Sequence, residues 1–271
     1  MTIKKLLGSL LATAIIAVAA FAQNTTVTVL GDTTAVENTA GGWMFNRDPG
    51  NATPITFTNA QAKIGYGSLY VQPIGANPAA KFIGENFVRT RIANINSISF
   101  DFLMGSGASN PNQFYMNVYA VFGDSSQTKF YDCRYDYVAA VGSNATWTTV
   151  TATPGTVPNN VKTASSTSNP PSIHPCPATP SGMDFSAPGS SVRAIAVTLG
   201  DTNNADVGYD GYFDNVVVNT TGGKTTYDFE PYLVASNKDQ CKNGGWANYR
   251  RADGSVFKNQ GDCVSYTSNG K

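Results

Sequence analysis

The chain has 271 residues, with 18 basic, 18 acidic and a single histidine, and is formally neutral at pH 7. Only 13% of its residues are charged, about half the share usual in soluble domains. This excludes bulk electrostatic attraction to DNA, RNA or an anionic membrane and leaves Thr, Ser, Asn and Gly to build the polar surface.

The opening segment reads as an export leader. Lys4 and Lys5 precede an apolar run from Leu6 to Ala20, and Ala20-Phe21-Ala22 sets small residues where a signal peptidase reads them. The run is shorter than the roughly 20 apolar residues that span a bilayer, and no later stretch is apolar enough to do so. Cleavage after Ala22 is expected to leave 16 basic against 18 acidic residues, net −2, in a mature chain outside the cytoplasm with no membrane span. Residues 1–22 are thus assigned as signal peptide, 23–230 as a β-sandwich domain, and 231–271 as a linker and Cys-stapled tail.

Short strands follow in order. Thr26–Leu30, Pro54–Thr58 and Gly67–Val71 come first, then Ile98–Phe102, whose Ile98, Phe100 and Phe102 share one face. In Phe114–Phe122, Phe114, Met116, Val118 and Phe122 are predicted to face the core. Lys129–Tyr131, Trp147–Thr151, Val192–Leu199, Tyr212–Val218 and Thr225–Phe229 complete the set. Many short strands with no intervening helix predict an all-β fold, an antiparallel sandwich. Thr153–Ser191, crowded with Pro, Ser, Thr and Asn, is predicted to be one long loop.

Beyond Glu230-Pro231, Ser236 with Asp239 resembles a capping box for a short helix closed by Gly244-Gly245, over which Trp246 can fold. A second short helix is expected in Asn259–Tyr266. So small a segment needs a staple. The four cysteines of an exported chain read as two disulfides, with three possible connectivities. Cys241–Cys263 within the tail and Cys133–Cys176 within the body, the latter pinning the long loop, are the favoured pairs.

Catalysis is poorly provided for. His174 is fenced by prolines, the glutamates are three (Glu37, Glu85, Glu230), and neither a G-x-S-x-G elbow nor a Glu-x-Asp-x-Glu strand occurs. Asp201–Asp206 and Asp210–Asn215 are rich in hard oxygen donors suited to calcium, although Asx turns account for the first of these. Tyr115 and Tyr119 with Asn117, and Tyr131, Tyr135 and Tyr137, recur at even spacing, so each set shares a face of its strand. An exposed tyrosine stripe with an amide offers a sugar ring apolar stacking and hydrogen bonds, so Tyr115, Asn117, Tyr119, Tyr135 and Tyr137 are the candidate ligand-binding residues. Plain strand-filling is the other reading of the same residues.

The order Gly42-Trp43, Gly67–Val71, Ser97–Phe102, Trp147–Val150 and Tyr212–Val218 resembles bacterial carbohydrate-binding-module-like jelly rolls. That resemblance implies a jelly roll with a possible structural calcium near the Asp of the last of these strands, here Asp214, with Glu37 at the position of an early glutamate. Lys238–Trp246 and Phe257–Tyr266 resemble a C-terminal segment recurring in exported bacterial proteins. The expectation is an exported, non-catalytic protein that binds a glycan or cell-surface polymer. A structural surface protein without a small ligand and a secreted concanavalin-like glycoside hydrolase are the alternatives.

Overall fold

The computed structural model describes residues 23–31, 42–46, 52–76, 81–86, 88, 90–122, 130–164, 176, 190–201, 206–251 and 255–269. The expected leader, Glu37, His174 and most of the Pro-rich segment lie outside them. In chain order the strands are β1 (Gln23–Leu30), β2 (Trp43–Phe45), β3 (Ile55–Thr58), β4 (Ser68–Val71), β5 (Phe82–Asn86), β6 (Thr90–Arg91), β7 (Ile95–Met104) and β8 (Phe114–Val121). They continue with β9 (Cys133–Val138), β10 (Thr148–Ala152), β11 (Asn160–Thr163), β12 (Ser191–Leu199), β13 (Gly211–Thr220), β14 (Gly223–Glu230), β15 (Leu233–Val234) and β16 (Tyr249–Arg250). One helix, α1 (Gln260–Asn269), closes the described chain.

Two seven-stranded sheets make a jelly-roll sandwich. The first runs β1-β14-β13-β4-β3, with β7 along the other side of β13 and β10 outside β7; the second runs β11-β9-β8-β12-β5-β2, with β6 also on β12. Pairing is antiparallel throughout both sheets except at one edge, where β1 runs parallel to β14.

Period-2 alternation builds the core. Ile98, Phe100 and Phe102 of β7 and Phe114, Met116 and Val118 of β8 are fully buried between the sheets, as their spacing predicts. Aromatic rings fill the gap in two blocks. Phe102 stacks on Phe114 with centroids 4.6 Å apart, and Phe213 meets Phe82 at 5.5 Å. At the other end Trp43 and Phe45 meet Phe229 at 5.0 and 6.1 Å. Each such ring contributes about 1.5–3 kcal/mol of transfer free energy.

Two expected features differ in detail. The Lys129–Tyr131 strand is not formed at Phe130 and Tyr131, and the next strand starts at Cys133. The segment read as one long loop contains an edge strand, β11, paired with β9. Its sequence, Asn-Val-Lys-Thr, has too little apolar alternation to announce a strand, and the β9 edge supplies the hydrogen bonds.

The tail has its own small core of Ala235, Cys241, Phe257 and Cys263, flanked by Trp246, Tyr249, Val264 and Tyr266. Both favoured disulfides are present, Cys133–Cys176 and Cys241–Cys263. The capping box falls one residue later than expected. Asn237 accepts from the amides of Asp239 and Gln240, and the Gln240 side chain accepts from the amides of Asn237 and Ser236. Arg251 bonds both Asp262 oxygens at 2.7 Å, fixing the start of α1 to the preceding loop. Among the described residues no helix is long and apolar enough to cross a membrane.

Candidate functional site

Within one strand, spacing says which side chains share a face; the pairing register says which face that is. Across β8 and β9, Asn117 stands opposite Asp136 and Tyr119 opposite Arg134, whereas Met116 stands opposite Tyr137 and Val118 opposite Tyr135. Met116 and Val118 are core residues, so Tyr135 and Tyr137 point into the sandwich, at 0% and 2% exposure. The expected five-residue stripe is therefore corrected. Tyr115, Asn117 and Tyr119 lie on the outer face of the second sheet, and the β9 residues beside them are Arg134 and Asp136. Sequence inspection passed over these two because alternating Tyr135 and Tyr137 looked like the surface set.

A continuous polar network crosses that outer face. Thr198 of β12 donates to Asn117 Oδ1 at 3.0 Å, and Asn117 Nδ2 donates to Asp136 Oδ1 at 2.6 Å. Arg134 forks onto Asp136, with Nε on Oδ1 at 2.8 Å and Nη2 on Oδ2 at 2.9 Å, while Asn160 of β11 donates to Oδ2 at 3.1 Å. Burial acts to lower the Arg134 proton affinity, but the Asp136 bonds and charge hold it above its ordinary value. Aromatic rings flank the network. Half-buried Tyr115 donates to the Gly200 carbonyl at 3.1 Å, and Tyr119 packs against Phe130 and Tyr131 at 4.8 and 5.5 Å. Four residues apart on one strand, Tyr115 and Tyr119 lie about 13 Å apart. Asn117, Tyr119, Asp136 and Thr198 are buried, Arg134, Phe130 and Tyr131 are half-buried, and Asn160 at the β11 edge is exposed.

Asp214 occupies a different kind of place. On one side of β13, β4 pairs with Gly211–Phe213 and β14 with Val216–Thr220, leaving a fork at a bulge where Asn215 takes φ 48°. The fully buried Asp214 carboxylate plugs this fork. Its Oδ2 accepts from the Lys63 and Ile64 amides at 3.0 Å each, and its Oδ1 from Asn215 and Phe229 at 2.7 and 3.1 Å. Burial pushes its pKa up to about 6 against the lowering effect of these four bonds. Of the expected calcium pair, Glu37 lies outside the described residues, and the Asp214 oxygens accept from four backbone N–H donors, which occupy its lone-pair sites. Among the described residues, no three His, Cys, Asp or Glu side chains converge as a ligand set.

Beside the fork, Asp228 and Glu230 alternate on β14 and are 9% and 1% exposed. They are covered by the turn carrying Gly65 and Gly67, where an added Cβ at either glycine would collide with the Glu230 carboxyl. Tyr66 N donates to Glu230 Oε1 at 2.7 Å, while Glu230 Oε2 and Asp228 Oδ1 are buried without a hydrogen-bond partner. Burial pushes Glu230 up to about 8, opposed by the Tyr66 bond and reinforced by the Asp228 charge. Two such carboxyls in contact share a proton.

No family model matches the chain, nor does any curated protein. Solved structures with a similar chain trace include the C-terminal family 22 carbohydrate-binding module of Clostridium thermocellum Xyn10B, at TM-score 0.34 and 14% identity over 66% of this chain and 87% of that one. A carbohydrate-binding module specific for non-crystalline cellulose is similar at TM-score 0.31 and 13% identity, over 72% of this chain and 98% of that one. A β-1,2-glucanase from Parabacteroides distasonis is similar at TM-score 0.34 and 10% identity, over 61% of this chain and 20% of that one.

Proposed function

We propose that this is an exported, non-catalytic protein that binds a glycan on the outer face of its second sheet, with residues 23–230 as the binding domain and 231–271 as an appended stapled tail. The observation that carries the reading is the hydrogen-bonded set Thr198–Asn117–Asp136–Arg134, flanked on the same face by Tyr115 and by Tyr119 with its aromatic neighbours. A sugar presents an apolar ring face and hydroxyls at its rim, and tight recognition requires rings and polar partners fixed in advance. The two disulfides agree with an oxidising compartment outside the cytoplasm.

Two carboxylate pairs lack the geometry of a glycosidase. Glu85 and Asp136 share the face but stand three strands apart through β12 and β8. At about 4.8 Å per strand that is roughly 14 Å, beyond the ~5–9.5 Å that glycosidase pairs use. Asp228 and Glu230 contact each other beneath a turn instead of flanking a cleft.

Titration calorimetry against a panel of soluble neutral and acidic polysaccharides tests the proposal, with Tyr115→Ala expected to weaken the bound member about tenfold, as loss of one stacking ring does. The burial of Asn117, Tyr119 and Thr198 favours a second reading, in which this face is an internal packing layer of a structural protein. In that case no polysaccharide binds and Tyr115→Ala only lowers the melting temperature.

A further inference from the structure

Resting on the glycan-binding reading, we propose that the preferred glycan carries carboxylates: uronic acid units whose anionic group is read by Lys162 and Arg134. Lys162 of β11 stands directly opposite Arg134 of β9, and Tyr119 of β8 is next in the same row. Like charges directly opposite in an antiparallel pair destabilise the sheet; Asp136 neutralises Arg134, and the charge of Lys162 is left for a further anion.

Among the described residues, none supplies one to Lys162. Asp136, the acid of this row's neighbourhood, already accepts from Asn117, Asn160 and twice from Arg134, which exhausts the roughly four lone-pair sites of a carboxylate. Lys162 is exposed and forms no ion pair among the described residues. Arg134 spends Nε and Nη2 on Asp136, leaving Nη1 without a protein partner among the described residues. Glu85, another acid of the face, lies three strands away from Asp136.

Two donors with free capacity thus sit side by side at an edge strand, next to the Tyr119–Phe130–Tyr131 rings. The surroundings do not make them a matter of background charge. Residues 23–230 hold ten basic and fifteen acidic residues, so a lysine with no counter-ion among the described residues, set beside an arginine already paired with Asp136, runs against the composition of the domain. A guanidinium locked in place by Asp136 is preorganised to meet a planar carboxylate, and the lysine adds a mobile second charge. Whole-chain neutrality conceals this, because the pairing of β11 with β9 concentrates the charge locally.

The test uses polygalacturonate, alginate, glucuronoxylan and hyaluronan, each beside its carboxyl-reduced form, and a panel of neutral polysaccharides, titrated against the full mature chain. At least one acidic polymer should bind, about tenfold more tightly than its reduced counterpart, with affinity falling as salt rises past a Debye length of about 8 Å. Lys162→Met should weaken that binding about fivefold, the size expected of one exposed charge pair, and Lys162→Arg should restore it. Equal binding of acidic and reduced forms, binding confined to neutral polymers, or unchanged affinity in Lys162→Met would overturn this inference and leave glycan binding standing. No binding anywhere in the panel overturns both.

Discussion

Replacing Asp214 by asparagine removes one acceptor oxygen from the fork between β4 and β14 while keeping the size and shape of the side chain. The remaining amide oxygen can serve either Lys63 and Ile64 or Asn215 and Phe229, but not both pairs. The new NH2 then faces two backbone N–H donors. Each buried N–H left without an acceptor costs about 1–3 kcal/mol, and the Lys63–Ile64 pair lies near enough to solvent to recover part of it. The expected loss is about 2–4 kcal/mol, on the order of 10 °C in melting temperature for a domain of this size. Urea unfolding followed by fluorescence of the buried Trp43, which packs on Phe229, should give a lower midpoint at unchanged slope. The loss should be the same in EDTA and in millimolar calcium. A variant within about 0.5 kcal/mol of wild type would refute the reasoning. A loss seen only with calcium present would return Asp214 to the role of metal ligand.

The Asp228–Glu230 pair sets a pH dependence. Glu230 rises from 4.5 to about 8 in the folded protein, so the fold binds more protons than the unfolded chain. Its contribution is therefore fully present below about pH 4.5 and lost as pH rises through about 8. Glu230→Gln, which mimics the protonated form, should flatten that part of the melting-temperature profile and exceed wild type above pH 8; parallel profiles would contradict this. Gly65→Ala places a Cβ at φ 61° against the Glu230 carboxyl and should cost about 2–4 kcal/mol. Gly75→Ala, with nothing within 4 Å, should stay within about 0.5 kcal/mol in the same thermal denaturation assay, and equal losses would remove the steric account.

Much of the fold was legible because a half-buried strand writes its pattern locally. Ile98, Phe100 and Phe102 sit in the core as their alternation requires, as do Phe114, Met116 and Val118. The tail announced itself through two cysteines and an aromatic cluster too dense for a loop. The short strands β2, β5 and β11 were not legible, since three to five residues carry too little periodicity to stand out from a turn. Tyr115, Asn117 and Tyr119 share one face of β8, as their even spacing required, and that face turns away from the core. Arg134 and Asp136 were missed because β9 alternates large tyrosines with charges, and large aromatics suit either side of a sheet. Asp214 was marked as special by its place in a strand, but its purpose depends on a fork between strands distant in sequence.

Composition, period-2 alternation and cysteine spacing by themselves determined the all-β class, the residues sharing each strand face, and the stapled tail. Each of these rests on interactions within a few residues or on counting. Only the tertiary structure decided which face of β9 meets solvent, that Lys162 stands beside Arg134, and that the Asp214 carboxylate receives backbone hydrogen bonds. A strand's own sequence defines two alternating sets of side chains and leaves inside and outside undetermined. That choice is made by hydrogen-bond register with neighbouring strands, where a shift of one residue exchanges the buried set for the exposed one.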